Sequence, residues 1–279
     1  MLQRLVHLSK LSASSAIGRF RKFMFGRNVV ALITSTDNGL FASDPEDMGV
    51  GNVLRKSGSY GLEEIERVFQ YIGADDDVLV VGSHIGALVI PIAKRCKSVA
   101  AIEANPHTFS LLQMNLALNG SHNVRAYNIA ASDKEEMISF ISSRSNSGGA
   151  KRMPKIRAFE YFYDAPETIS VQAFALDEYL KGEQFALVFM DIEGSEFFAL
   201  KGMQNILRDT RTLFIEYLPH HLRNVSGVSP KEFLSLIEPH FSTLLIPSKN
   251  LHVEKVDFLP ALQSMFDRDE GDDGLIFTK

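Results

Sequence analysis

Apolar residues change their period several times along the chain. Ile65, Val68, Phe69 and Ile72 recur at intervals of three and four, which predicts a helix over 62–72 closed by Gly73. Val78-Leu79-Val80-Val81 is an unbroken apolar run, the pattern of a strand buried on both faces. It ends in Gly82-Ser83-His84-Ile85-Gly86, and a helical stretch follows to Lys94. Pro91 falls inside that stretch, where a missing N–H is expected to bend it. Ser98 to Ile102 is a second β-like run that stops at Glu103. Asn105-Pro106 reads as N-cap and first position of a helix whose apolar face carries Phe109, Leu112 and Leu116, and Gly120 ends it. Val124 to Ala130 is a third strand. This strand–helix alternation predicts an α/β fold with a doubly wound, mostly parallel sheet.

The second half resumes the alternation after an excursion. Met137 to Ile141 and Ile169 to Phe174 are predicted strands. Residues 142–168 between them are too long for a plain connection. Phe185 to Met190 is a strongly apolar strand ending at Asp191, and Phe197, Leu200, Met203 and Leu207 mark a helix behind it. Thr212 to Tyr217 is the next strand. Ser229-Pro230-Lys231-Glu232 is a capping box that starts another helix. Ser242 to Ile246 and Leu275 to Thr278 are expected to close the sheet as an antiparallel pair. The expected organisation is a basic N-terminal extension and cap over 1–60, then one domain over 61–279 with a lid insertion at 142–168.

Charge adds one contrast. The net charge is -5, which argues against a dedicated nucleic-acid binder. Six of the 29 basic residues (Arg4, Lys10, Arg19, Arg21, Lys22 and Arg27) precede the first acid, Asp37, leaving 23 against 34 acidic residues in the remainder. Three readings fit this segment: a helix docked on the domain, an organellar transit peptide, or a peripheral contact of residues 1–30 with an anionic membrane. No apolar run has the length of a membrane span or a secretory h-region. The single cysteine, Cys96, excludes an internal disulfide and points to the cytoplasm.

In open α/β sheets, ligands bind beyond the carboxyl ends of the strands, here at Gly82, Glu103, Ile129-Ala130 and Asp191. Glycine lets backbone approach a ligand closely. Glu103 lies 21 positions after Gly82, where a carboxylate can accept both ribose hydroxyls of an adenosine. The turn is not Gly-x-Gly-x-x-Gly, so a dinucleotide pyrophosphate is disfavoured. Val80-Val81-Gly82-Ser83-His84-Ile85-Gly86, Ile102-Glu103-Ala104-Asn105-Pro106, Asn115-Leu116-Ala117-Leu118-Asn119 and Met190-Asp191-Ile192-Glu193-Gly194-Ser195-Glu196 occur in order, followed by Leu200-Lys201-Gly202. Over about residues 60–220 this series resembles the FkbM-type S-adenosylmethionine-dependent methyltransferases.

The resemblance implies a Rossmann-like class I methyltransferase fold and O-methylation of a hydroxyl on a sugar, glycoconjugate or natural product. It implies that Gly82, Ser83, His84 and Gly86 flank the methionine part of the cofactor. Glu103 would hold its ribose, Asn105, Ile129 and Ala130 would border its adenine, and Asp191 would lie where cofactor and acceptor meet. His84 departs from the asparagine usual in the family's turn.

An alcohol is a weak nucleophile, so a base or a metal must help remove its proton. Asp191, Glu193 and Glu196 could orient a hydroxyl, act as base, or hold Mg²⁺ or Ca²⁺. His220 or His221 offers a second base after the strand ending at Tyr217. Within the insertion, Lys151, Arg152, Lys155 and Arg157 precede Phe159, Tyr161, Phe162 and Tyr163, a composition suited to an acidic or glycosidic acceptor. Two rival readings stand beside the enzyme: a binding module with a degenerate cofactor site, and a nicotinamide-dependent oxidoreductase.

Overall fold

The computed structural model describes residues 2–143 and 145–279, the side chains of 2–12 excepted. A helix over Leu2–Phe25 leads into a hairpin of β1 (Leu32–Thr36) and β2 (Gly39–Ser43), and a helix follows over Val50–Ser57. The outer edge of β2 is answered by side chains of the helix Pro106–Leu118. Asn119, its C-cap, takes the Leu40 N–H and donates to the Leu40 carbonyl. Asn115 does the same for Ala42.

The parallel strands are β3 (Asp77–Val81), β4 (Ser98–Ile102) and β5 (Val124–Tyr127). Beyond β5 the chain builds a second sheet from β6 (Ala130–Ser132), β7 (Glu136–Ser142), β8 (Lys151–Arg152) and β9 (Glu167–Ala175), in the order β6-β9-β7-β8. It then returns through β10 (Leu187–Met190) and β11 (Thr212–Tyr217). The chain ends with β12 (Thr243–Ile246), β13 (Leu251–Glu254) and β14 (Asp272–Thr278). The main sheet has eight strands in the order β13-β12-β14-β11-β10-β3-β4-β5.

Alternation within β3, β4, β10 and β11 divides the core into two layers. Leu79, Val81, Ala100, Ile102, Val188, Met190, Leu213 and Ile215 face one side, packed with Leu207, Phe233 and Leu262 from the helices there. Val78, Val80, Val99, Ala101, Leu187, Phe189 and Phe214 face the other, against Val68, Val89 and Leu112. The fold is therefore a Rossmann-like, doubly wound sheet with an antiparallel margin.

Several local expectations change. The predicted strand Val124–Ala130 is two pieces in different sheets. Met137–Ile141 and Ile169–Phe174 leave the main sheet and pair with each other. The helix behind β10 is broken into Glu196–Lys201 and Gln204–Asp209. At the break, a side chain on Gly202 would lie 2.0 Å from the Ser132 carbonyl. Pro91 sits in the short helix Val89–Ala93, where Ile90 N–H donates to Gly86 and Ile92 N–H to Leu88 on either side of it.

Candidate active site

A cavity of about 340 Å³ opens beyond the carboxyl ends of β3, β4 and β10. Its walls combine the glycine turn, Glu103, Ile129-Ala130 and Asp191 with Val53, Tyr60, Ile138, Phe140 and Ser147. Asp47 fixes part of this wall: its carboxylate accepts the N–H groups of Gly49, Gly51 and Ser147.

The turn after β3 is shaped by close approach. Gly82 has φ +91°, and a Cβ there would lie 1.8 Å from the Asp191 carbonyl oxygen. Ser83 donates its hydroxyl to Val80 O. His84 adopts φ +48°, a left-handed conformation uncommon outside glycine. Its N–H donates to Glu103 Oε2 at 2.8 Å, and its Nε2 lies 2.7 Å from Ser147 Oγ. Burial pushes the His84 imidazole below its ordinary pKa, which favours the neutral ring. Glu103 Oε1 takes the Asn105 N–H at 2.8 Å. Each Glu103 oxygen thus has one lone pair committed and one in reserve. Burial raises this carboxyl to about 7, with the two backbone donors opposing the shift.

On the other side of the cavity, Asp191 ends β10. Its carboxylate lines the cavity and has no hydrogen bond or ion pair to a protein group among the described residues. Burial, then the charges of Glu193, Glu196 and Glu64, raise its pKa well above the carboxylate range. Glu193 adopts φ +57° and receives Lys151 Nζ at 2.7 Å. Lys151 is buried, but the adjacent carboxylate outweighs desolvation and holds its ammonium above the ordinary lysine value. His221 Nε2 lies 3.1 Å from Lys151 Nζ, and its Nδ1 is 3.6 Å from Glu216 Oε2. These last two atoms are buried without a hydrogen-bond partner among the described residues. Burial and then Lys151 drive the His221 pKa far down, so its ring is neutral.

The candidate residues divide by place. Gly82, Ser83, His84, Glu103, Ile129, Ala130, Asp191 and Glu193 all line the cavity. Gly86 and Asn105 do not. Gly86 makes room for helix packing, since a Cβ would meet Leu112 at 2.9 Å. Asn105 caps the helix Pro106–Leu118 and donates to Ser142 Oγ. His220 and His221 also stand off the cavity, with His221 behind Lys151 and the His220 ring 4.2 Å from it. Glu196 is turned away to accept the N–H groups of Ile192 and Gly194, which fixes the loop after β10. The carboxylates that approach within 4.8 Å of one another are Asp191, Glu193 and Glu216, so Glu216 replaces Glu196 in the set that could hold a cation. Lys151 already supplies a positive charge there.

The basic residues of the insertion are consumed internally. Arg152 pairs with Glu136 and lies over Phe198, Lys155 donates to the Ser226 carbonyl, and Arg157 lies over Phe162. Glu216, Tyr60 and Ser147 are the site residues that local spacing did not reveal, and Lys151, expected to meet an acceptor, is instead paired with Glu193. Glu216 did carry a signal, a lone acid within an otherwise apolar run ending a strand.

The sheet order and the ligand-sized cavity at its carboxyl edge are those of a class I methyltransferase fold. Residues 81–242, more than half of the chain, match the family model of the methyltransferase FkbM domain. The chain belongs to the FkbM methyltransferase family. Among solved structures it resembles methyltransferase FkbM from Methylobacillus flagellatus, at 17% identity and TM-score 0.42, over 74% of this chain and 44% of that one. It therefore spans less than half of that protein. Precorrin 8w decarboxylase from Methanobacterium thermoautotrophicum matches at 14% identity and TM-score 0.42, over 80% of this chain and 92% of that one. TYW2 from M. jannaschii, solved with AdoMet, matches at 20% identity and TM-score 0.38, over 67% and 62% respectively. Comparison with curated proteins found no match.

Proposed function

We propose that this chain is an S-adenosylmethionine-dependent O-methyltransferase acting on a hydroxyl of a sugar, glycoconjugate or other natural product. The observation that carries this reading is Asp191, a carboxylate without a protein partner among the described residues, in a cavity whose opposite wall is the glycine turn and Glu103. The residues fit the cofactor. The cavity volume lies within the range of small-molecule sites, roughly 300–1,000 Å³. Gly82 brings main chain to its edge, and Glu103 keeps a free lone pair on each oxygen for ribose hydroxyls. Ile129 and Ala130 offer an apolar surface for an adenine ring. The bound cofactor supplies a methyl group already activated on a sulfonium.

The protein's own work is then alignment and proton removal. Walls from residues 49–53 and 146–150 confine the acceptor, and good alignment alone lowers a barrier by roughly 7–11 kcal/mol. Asp191 orients the acceptor hydroxyl and takes its proton on a carboxylate oxygen. Lys151 holds Glu193 in place beneath it. If a divalent cation takes part, Asp191, Glu193 and Glu216 are the residues that would hold it. In this reading residues 1–60 act as a cap and 142–168 as a lid, and the protein works in the cytoplasm. No helix among the described residues is long and apolar enough to cross a membrane.

Calorimetric titration with S-adenosylhomocysteine, with NAD as comparison, tests the cofactor. Micromolar binding of the homocysteine compound alone supports the reading and leads to a screen of hydroxylated acceptors with and without Mg²⁺. Binding of NAD alone would replace the reading with an oxidoreductase. Binding of neither would favour the non-catalytic module, whose support is His84, turned onto Ser147 inside the turn.

A further inference from the structure

The helix Leu2–Phe25 is docked by its small face and leaves its large apolar face uncovered. Ser15 is buried, and Gly18 lies so close to the loop before the helix Val50–Ser57 that a Cβ would meet the Glu46 carbonyl at 2.4 Å. Arg21 fastens the same side by donating to Asn52 Oδ1 at 2.9 Å and to the Asp47 carbonyl. The remaining face carries Ile17, Phe20, Phe23 and Met24, spaced three and four apart, and they are 51%, 63%, 71% and 66% exposed. Phe25 and Val30 continue the apolar exposure on either side of Arg27. Scattered apolar residues on a surface need no explanation, but two exposed phenylalanines within one four-residue stripe do.

Charge selects the occupant. Arg19 and Arg27 are exposed and Lys22 is half-buried, and no acidic residue precedes Asp37. Arg4 and Lys10 belong to the part of the helix whose side chains lie outside the described residues. The rest of the chain carries 23 basic against 34 acidic residues, so the excess of positive charge is concentrated in this segment. An apolar stripe with basic flanks, on a helix held parallel to the protein surface, fits the headgroup region of an anionic bilayer.

We propose that this helix seats the protein on an anionic lipid surface, inserting Ile17, Phe20, Phe23 and Met24 while Arg19 and Arg27 meet the headgroups. The attachment is peripheral and reversible, and it is independent of the cofactor site. It places the enzyme at a membrane surface, where lipid-borne hydroxyl acceptors would be concentrated.

The full chain is tested by flotation with phosphatidylcholine vesicles, with and without phosphatidylserine, at low and high salt. The expected result is co-flotation with the phosphatidylserine vesicles alone, weakened by salt. The double variant F20S/F23S should lose roughly tenfold or more of that binding, with S-adenosylhomocysteine affinity unchanged because neither residue lines the cavity. R19E/R27E should lose binding to a similar degree. Failure of the wild-type chain to float, or equal flotation of wild type and F20S/F23S, overturns the proposal. A concentration-dependent dimer abolished by F20S/F23S, without vesicle binding, overturns it in favour of self-association.

Discussion

Lys151 Nζ lies 2.7 Å from Glu193 Oε2, although the two residues are 42 positions apart. The lysine comes from β8 in the second sheet and the glutamate from the loop after β10 in the first. This ion pair therefore joins the insertion to the main sheet directly behind the cavity. Its environment is acidic, with Asp191 and Glu216 close by, and Lys151 is the cation that makes their proximity tolerable.

Replacing Lys151 with methionine should destabilise the protein by about 1–3 kcal/mol, because the partly buried Glu193 carboxylate loses its charged hydrogen-bond partner. Adding Glu193→Gln should restore part of that loss. Urea unfolding of the single and double variants measures both values. Additive effects of the two changes would mean the pair contributes no coupling.

Asp191→Asn should lower turnover by roughly 10²–10⁴-fold, the usual contribution of a positioned base. Affinity for S-adenosylhomocysteine should change little. Steady-state rates set beside calorimetry separate the two effects, and an equal loss of both would move Asp191 into the cofactor-binding set.

The raised pKa of Glu103 gives opposite pH trends for ligand binding and for folding. A ribose hydroxyl donates to the ionised carboxylate, so cofactor affinity should rise as pH increases through about 7. Folding responds the other way. The folded carboxyl keeps its proton above the ordinary value of 4.5, so its stabilising effect is full below that pH and is lost as pH rises through about 7. Glu64 and Glu196, both raised to about 7 by burial, add to the same trend. Glu103→Gln should flatten the pH dependence of binding, which titrations at pH 6 and pH 8 would reveal.

Ser147→Ala removes the hydrogen bond that ties the insertion to the His84 ring. The expected result is faster dissociation of S-adenosylhomocysteine with stability changed by about 1 kcal/mol. Stopped-flow release rates check this, and an unchanged rate would show that this contact does not restrain the ligand.

The main sheet was legible in the sequence because its strands are buried on both faces and therefore read as unbroken apolar runs, as β3 does. The glycine turn and Glu103 were legible for a related reason: a strand end at a sheet's mouth concentrates the residues that meet a ligand. Two kinds of feature were not. The second sheet is built from strands that alternate buried and exposed residues, as β7 and β9 do, but nothing local says that such strands will pair with each other away from the main sheet. Lys151 and Glu216 become neighbours only through the return of β10 and β11, so their relationship exists in tertiary contact alone. His220 and His221 follow a strand end, as the sequence indicated, yet neither lines the cavity. Their position after a strand suggested chemistry, whereas packing turned His221 toward Lys151 and away from the cavity.

The bonds that Asn115 and Asn119 make to Ala42 and Leu40 carry a consequence for solubility. A hairpin edge with free N–H and C=O groups is a template on which a second molecule can add a strand. Here two amide side chains imitate the missing neighbour and occupy those groups. The β2 edge is thus closed to strand-by-strand addition without any charge or proline being placed there.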